Sequence, residues 1–242
     1  MVLEIAQTGL LLQGDLGFLF DNPDWDYVWS NRGTLLDAAW LTVELTFVSI
    51  VLGFVIGLPA GVAEVYAPDW LRTPVETAGV VIRAVPILVI LIYMYYVFSV
   101  SRSPFIAATF ALGLRSGAYQ SQIFRGAIQS VGEGQMEAAR SVGMTKLEAI
   151  VYVVVPQALR RSIPGFQNEF TIVLKDTSIA IILGVSELLG TAEDLFLQQN
   201  RTGAALELIL AVSLIYFVLT VTTNRGLEVA GDYFGVPTGE NA

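Results

Sequence analysis

The sequence predicts an all-α membrane protein with about five transmembrane helices, its N-terminus outside and its C-terminus in the cytoplasm. Three observations predict this class. Hydrophobic residues make up 54% of the 242 residues and charged residues 14%, and the mean hydropathy is +0.63, all typical of membrane proteins. Apolar stretches of about 20 residues, the length of a spanning helix, recur along the chain. One polar stretch between them has the pattern of a helical hairpin.

Five stretches are long and apolar enough to be predicted as spans. They cover residues 35–65, 75–100, 105–127, 165–189 and 204–230. Prolines such as Pro68, Pro104 and Pro164 lie at or near their ends, where a helix is expected to stop. We therefore predict an extracytoplasmic segment over residues 1–33, a transmembrane domain over 34–230 and a cytoplasmic tail over 231–242.

The distribution of lysine and arginine predicts the orientation. Short loops on the cytoplasmic side of a membrane are enriched in these residues. The polar loop before the fourth predicted span carries the largest group, which is Arg125, Arg140, Lys146, Arg160 and Arg161. This loop is therefore predicted to be cytoplasmic, and five spans then place the N-terminus outside.

Composition also excludes several kinds of chemistry. The chain has no cysteine and no histidine, which excludes thiol nucleophiles, imidazole acid–base catalysis and most transition-metal sites. Its formal charge of −9 argues against nucleic acid as a partner. No nucleotide-binding loop of the Gly-x-x-x-x-Gly-Lys type is present, so any ATP is expected to bind to another polypeptide.

The polar stretch over residues 133–155 predicts two short helices around Gly143. Either Ser141 or Thr145 can cap a helix start, and Glu148 follows Thr145 at the spacing of a capping box. One face of the second helix is predicted to be apolar, with Leu147, Ile150, Val151 and Val154 at helical spacing. Pro156 is predicted to end that helix. On this pattern alone, the hairpin could equally be an amphipathic element lying on the bilayer surface.

A longer motif runs through this hairpin. It consists of Glu137-Ala138-Ala139, then Gly143, then Val153-x-Val155-Pro156. With this motif the chain resembles the permease subunits of ATP-binding-cassette importers, and most closely their polar amino acid branch, the histidine, glutamine and arginine type. The resemblance covers about residues 33–225. Further matching segments are Gly117-Ala118-Tyr119, the run from Arg125 to Val131, Gly134-Gln135, the run from Pro156 to Arg160, and Lys175-Asp176-Thr177-Ser178.

Three positions depart from the pattern of that branch. Arg83-Ala84-Val85-Pro86 stands where Arg-Gly-Thr-Pro is usual, Gln122 stands where glutamate is usual, and Arg115 replaces a small polar residue or asparagine. These departures bear on the substrate rather than on the class of transporter.

The resemblance implies how the chain works and with what. The loop over residues 130–164 would dock into a cleft of an ATPase subunit through Glu137, Ala138, Ala139, Gly143 and Pro156. The implied partners are a second permease subunit, identical or paralogous, two ATPase subunits and an extracytoplasmic substrate-binding protein. ATP and magnesium would be bound by the ATPase. This chain would bind no cofactor, catalyse no reaction and lie in the cell membrane.

Six polar residues within the predicted spans are candidates for substrate contact, because ionisable side chains are costly in a membrane and tend to mark a pathway. They are Arg83, Arg115, Gln122, Glu169, Lys175 and Asp176. The carboxylate of a zwitterionic amino acid suits Arg83 or Arg115, whose guanidinium matches two oxygens. Its ammonium suits Asp176 or Glu169. The alternative is that these charges pair with one another and link the helices.

Two other functions fit part of the sequence. An ion-coupled secondary transporter would use the intramembrane carboxylates as ion sites and would need no ATPase. A membrane-embedded hydrolase would need a Ser–Lys pair that uses Lys175, for which no motif is present.

Overall fold

The structure is a computed structural model that describes residues 24–197 and 201–233. Every regular element within these two ranges is helical, which confirms the predicted all-α class for that part of the chain. Most of the predicted tail and most of the predicted N-terminal segment lie outside the described residues. The helices are α1 (Asp24–Ser30), α2 (Arg32–Tyr66), α3 (Asp69–Ala84), α4 (Ile87–Ile92), α5 (Pro104–Ser130), α6 (Glu133–Ser141), α7 (Lys146–Ala149), α8 (Val155–Asp176), α9 (Leu188–Leu197) and α10 (Ala205–Tyr233).

Two helices among the described residues are, each on its own, long and apolar enough to cross a membrane. They are Arg32–Tyr66, which is α2, and Thr202–Val229, which includes most of α10. Both coincide with predicted spans. The predicted span over residues 105–127 is also a single helix, α5, of 27 residues. Its inner face carries polar side chains such as Arg115 and Gln120, so it is less apolar than the other two.

The prediction of one helix over residues 75–100 was wrong. The structure has two elements there, α3 and a second piece that runs from Ile87 to Val97, bent by 104°. Pro86 explains the break, because its ring disfavours the helical conformation of the residue before it. Val85 is accordingly extended, with φ −85° and ψ 131°. The pair can still make one crossing, as a broken span.

The prediction of one helix over residues 165–189 was also wrong. Helix α8 begins earlier, at Val155, and ends at Asp176, where a 3₁₀ helix covers Thr177–Leu183. The hydroxyls of Thr177 and Ser178 each donate to a carbonyl three residues back, at 2.7 Å. Such local hydrogen bonds compete with the regular helical pattern. Gly184 then adopts the left-handed conformation, with φ 80°, and ends the element.

The close crossing of α2 and α5 forms the centre of the bundle. Gly53, Gly57 and Gly61 lie one turn apart on α2 and face α5, where there is no room for a side chain. A Cβ atom at Gly57 would lie 2.8 Å from Cβ of Gln120 and from the carbonyl oxygen of Gly117. Small residues at such spacing let helix backbones approach closely in a membrane. An apolar cluster that includes Leu45, Ile87, Leu91, Leu112 and Ala180 fills the space beside this crossing.

Candidate functional site

The predicted hairpin is present, with α6 and α7 on either side of a tight turn. Gly143 has φ +93°, in the left-handed region that a residue with a Cβ rarely adopts. Its N–H donates to the carbonyl of Arg140 at 3.1 Å, and the N–H of Met144 donates to Ala139 at 3.2 Å. These bonds satisfy carbonyls at the end of α6, as glycine-ended helices commonly do.

Thr145, rather than Ser141, caps the second helix of the hairpin. The N–H of Glu148 donates to the Thr145 hydroxyl oxygen at 3.3 Å, while the N–H of Thr145 donates to the Glu148 carboxylate at 2.7 Å. The hydroxyl of Ser141 instead donates to Glu137 within α6. Hydrogen bonds from the backbone and then the side chain of Thr145 hold the pKa of Glu148 below its ordinary value.

The prediction that Pro156 ends the second helix was wrong. A π-helical turn over Ile150–Val154 continues α7, and the chain runs on through Pro156 into α8. In this wider turn Val155 donates to Ile150, five residues back. The changed hydrogen-bond register accommodates the proline ring, which would clash with the carbonyl of Tyr152 in a regular α-helix. Pro156 therefore lies in the first turn of α8, where its missing N–H costs little.

The predicted apolar face of the second helix is only partly buried. Ile150 and Val154 are buried as predicted, but Leu147 is 70% exposed and Val151 is exposed as well. Ile150 and Val154 turn towards the bundle, where Val154 packs on Ile128 at the end of α5. The hairpin is thus attached to the bundle by one face only.

The outer face of the hairpin carries exposed apolar side chains. Val142, Leu147 and Tyr152 are each at least 70% exposed. Of the motif residues, Glu137 and Ala138 are exposed while Ala139 is buried. Apolar groups exposed together on a polar segment are typical of a contact surface for another protein.

The structure brings three of the six intramembrane candidates together. Nη1 of Arg115 lies 2.5 Å from Oδ2 of Asp176, which joins α5 to α8. Glu169, two turns before Asp176 on α8, is 3% exposed and accepts a hydrogen bond from the hydroxyl of Ser116 at 2.7 Å. Glu169 also lies within electrostatic reach of both members of the pair. Two carboxylates and one guanidinium therefore face one another between these helices.

The other three candidates lie elsewhere. Arg83 donates to the carbonyl of Ala118 at 2.6 Å, and Gln122 donates to Glu64 at 2.7 Å. Lys175 is exposed and lines a small cavity with Ser178, Tyr216 and other residues of α9 and α10. The six residues thus do not form a single pocket.

The sequence interpretation missed three buried carboxylates, Glu64, Glu187 and Glu207. Glu64 accepts from Gln122 and lies 3.4 Å from Arg125, which also lies 3.2 Å from Glu76. Glu187 is fully buried and accepts from the hydroxyl of Tyr216 at 2.6 Å. These residues could have been recognised in the sequence, because a glutamate within or next to an apolar stretch needs a polar or charged partner in the membrane.

Comparison with known proteins decides the family. A family model described as binding-protein-dependent transport system inner membrane component matches residues 49–225. The chain belongs to this family. It is therefore a permease subunit of an ABC importer rather than an enzyme, and a multi-pass protein of the cell membrane. Permeases of this kind work with an ATPase and a substrate-binding protein. The resemblance inferred from the hairpin motif is confirmed.

Individual relatives agree with this assignment. The glutamine transport system permease protein GlnP of Escherichia coli (strain K12) is 34% identical over 204 residues, which cover 82% of this chain and 91% of that protein. The L-cystine transport system permease protein TcyB of Bacillus subtilis (strain 168) is 35% identical, over 71% of this chain and 75% of that protein. A crystal structure of an amino acid ABC transporter with histidines contains a chain that is 30% identical to this permease. Its TM-score is 0.77, and the match covers 88% of this chain and 99% of that chain.

Proposed function

We propose that this permease moves amino acids with polar or charged side chains into the cell, driven by ATP hydrolysis in a separate subunit. The hairpin around Gly143 carries the proposal, because it is fixed to the bundle on one face and exposes apolar side chains on the other. The relatives support the substrate class, since they include permeases for glutamine and cystine.

The proposed topology keeps five crossings. They are α2, the bent pair of α3 and α4, α5, α8 with its 3₁₀ extension, and α10. The N-terminus lies outside, and the hairpin and the C-terminal tail lie in the cytoplasm, as the distribution of lysine and arginine predicts.

The proposed assembly contains two permease subunits, identical or paralogous, and two ATPase subunits that bind ATP and magnesium. An extracytoplasmic binding protein delivers the substrate. Val142, Leu147 and Tyr152 insert into the ATPase surface, with Glu137, Ala138 and Ala139 beside them. Gly143 supplies the turn, and Pro156 lies where the hairpin enters α8.

ATP binding is proposed to close the ATPase pair and draw the two hairpins together. The pathway then changes from inward facing to outward facing. ATP can shift this equilibrium only by as much as it favours one state over the other. The closed ATPase dimer provides that difference.

The substrate is proposed to bind at Arg115, Asp176 and Glu169. A zwitterionic amino acid presents one carboxylate and one ammonium, and this cluster offers the complementary charges. In the structure, Arg115 and Asp176 neutralise each other at 2.5 Å. Substrate would replace this internal pair with two pairs of its own. Arg83, Gln122 and Lys175 are proposed to contact substrate at other points of the route.

Uptake by the complete complex in vesicles tests the proposal. The complex is supplied with a panel of labelled amino acids and with either ATP or a non-hydrolysable analogue. We expect uptake of polar or charged amino acids with ATP only, unaffected by an ionophore that collapses ion gradients. Uptake that does not require ATP but is lost when the ionophore is added would identify a secondary transporter instead.

The substrate cluster has its own test in Glu169→Gln. This change keeps the size of the side chain and removes its charge, so we expect a weaker apparent affinity and a changed preference within the panel. Glu44→Gln, at an exposed carboxylate of α2, is the matched control. Unchanged uptake and unchanged preference in Glu169→Gln would exclude Glu169 as a contact.

A further inference from the structure

Three helices meet at a charged cluster that does not include Arg115, Asp176 or Glu169. Arg125 on α5 places one guanidinium nitrogen, Nη1, 3.4 Å from Glu64 on α2 and 3.2 Å from Glu76 on α3. Gln122, one turn before Arg125, donates to the same oxygen of Glu64 at 2.7 Å. We call Glu64, Arg125 and Glu76 the Arg125 bridge.

The two carboxylates of the Arg125 bridge are unequal. The side chain of Glu64 is 1% exposed, whereas that of Glu76 is 34% exposed. Oε1 of Glu64 has no hydrogen-bond partner among the residues that the structure describes. A buried carboxylate is strongly destabilised when its cation is removed. Glu64 therefore holds Arg125 in place. Glu76 is the more exposed partner, and its contact with Arg125 can be broken at lower cost.

Glu64 lies next to the attachment point of the hairpin. Two residues further along α2, the carbonyl of Tyr66 accepts a hydrogen bond from Nζ of Lys146 at 3.0 Å, and the same ammonium lies 5.7 Å from the centre of the Tyr66 ring. Val65 and Tyr66 also pack on the apolar cluster that holds Val154 of the hairpin. A movement of the hairpin therefore acts directly on the end of α2.

Glu76 lies on a helix that is joined to the next piece of chain by a sharp bend. Helix α3 bends by 104° from the following piece at Val85 and Pro86. Its attachment to α5 includes two arginine contacts, Arg125 with Glu76 and Arg83 with the carbonyl of Ala118. Val80 and Val81, on its outer face, are each more than half exposed.

We propose that the Arg125 bridge transmits the movement of the hairpin to α3, so that Glu76 and Arg125 are positioning residues for the coupling of ATP hydrolysis to transport. This inference rests on the proposed function. The hairpin moves the ends of α2 and α5, Glu64 keeps Arg125 oriented, and Arg125 carries α3 along through Glu76. The bend at Val85 and Pro86 allows α3 to turn relative to the piece that follows it.

Glu76→Gln in the complete complex, reconstituted in vesicles with its ATPase and binding protein, tests the inference. Asp69→Asn is the matched control, because Asp69 is an exposed carboxylate of the same helix and, among the residues that the structure describes, forms an ion pair only with Arg72, at 3.0 Å. We expect Glu76→Gln to hydrolyse ATP at the wild-type rate but to take up at least about fivefold less substrate per ATP. Asp69→Asn should match the wild type in both.

Two results would overturn the inference. One is a ratio of uptake to hydrolysis in Glu76→Gln that equals that of Asp69→Asn. The other is a parallel loss of hydrolysis, uptake and assembly, which would mean that Glu76 only stabilises the fold. Either result leaves the proposed function intact as long as wild-type uptake requires ATP. If wild-type uptake does not require ATP, the proposed function fails first.

A distance measurement reports on α3 directly. The chain has no cysteine, so spin labels can be attached at Val80→Cys and Tyr96→Cys, which are exposed positions on the two sides of the bend. We expect ATP to change the distance between the labels in the wild-type background and in Asp69→Asn, but not in Glu76→Gln. A change that persists in Glu76→Gln would contradict transmission through the bridge.

Discussion

Arg115 on α5 and Asp176 at the end of α8 form an ion pair, with 2.5 Å between Nη1 and Oδ2. Their side chains are only 17% and 21% exposed. The pair lies where α8 gives way to a 3₁₀ helix, and it links that point to α5. Structural linkage and substrate recognition can therefore be served by the same two residues.

Removal of one partner of this pair should destabilise the permease. Asp176→Asn leaves the Arg115 charge without its counter-ion, and a largely buried charge in that position costs about 3 kcal/mol. The double variant Arg115→Gln with Asp176→Asn should recover much of this loss, because neither member of the pair then carries a charge. The apparent midpoint of thermal unfolding in detergent measures both. A double variant that is less stable than either single variant would contradict this account.

The close crossing of α2 and α5 predicts that a single methyl group is harmful at Gly57. Gly57→Ala places a Cβ 2.8 Å from two atoms of α5, and such overpacking costs about 2 kcal/mol. Gly126→Ala is the control, because nothing lies within 4 Å of a Cβ there. That change should be neutral or stabilise α5 by up to about 1 kcal/mol. Equal unfolding midpoints for the two variants would contradict the close packing of α2 against α5 at Gly57.

Several features of the fold were predictable because they depend on local pattern. The helices at residues 35–65, 105–127 and 204–230 follow from apolar stretches of spanning length. The hairpin followed from a glycine, a capping box and a run of apolar residues, all within about three helical turns. The family motif favoured a coupling hairpin over a surface element, a choice that the local pattern alone left open.

The remaining features depend on contacts between residues that are distant in sequence. Pro86 indicated a break in the helix, but the angle of 104° between the two pieces does not follow from the proline alone. The π-turn before Pro156 could not be predicted, because a single π-turn produces no recurring spacing of apolar residues in the sequence. The partners of Gln122 and Arg125 lie on α2 and α3, so Glu64 and Glu76 could be recognised only after the helices were placed.

The capping box predicts a pH dependence of the hairpin. Hydrogen bonds from Thr145 lower the pKa of Glu148 from its ordinary value of 4.5. Because the folded value is lower than the unfolded one, the ionised carboxylate stabilises the hairpin above pH 4.5, and this contribution is lost as the pH falls through the lowered value.

Hydrogen exchange of the amides over residues 145–154, corrected for the intrinsic effect of pH, measures this dependence. Protection should fall at pH values below 4.5 in the wild type. Glu148→Gln should show lower protection at neutral pH and little further change with acid. A wild-type profile that matches that of Glu148→Gln at every pH would exclude the cap as the cause.

The central claim is that the hairpin around Gly143 couples this permease to an ATPase, and Gly143→Asp tests it most directly. Aspartate is strained at φ +93°, so the turn should be lost. Gly134→Asp is the matched control, because Gly134 is exposed in the first turn of α6, where an acidic residue is favourable. ATP-dependent uptake by the complete complex in vesicles should be abolished in Gly143→Asp and retained in Gly134→Asp. Full ATP-dependent uptake by an intact complex that carries Gly143→Asp would contradict the account.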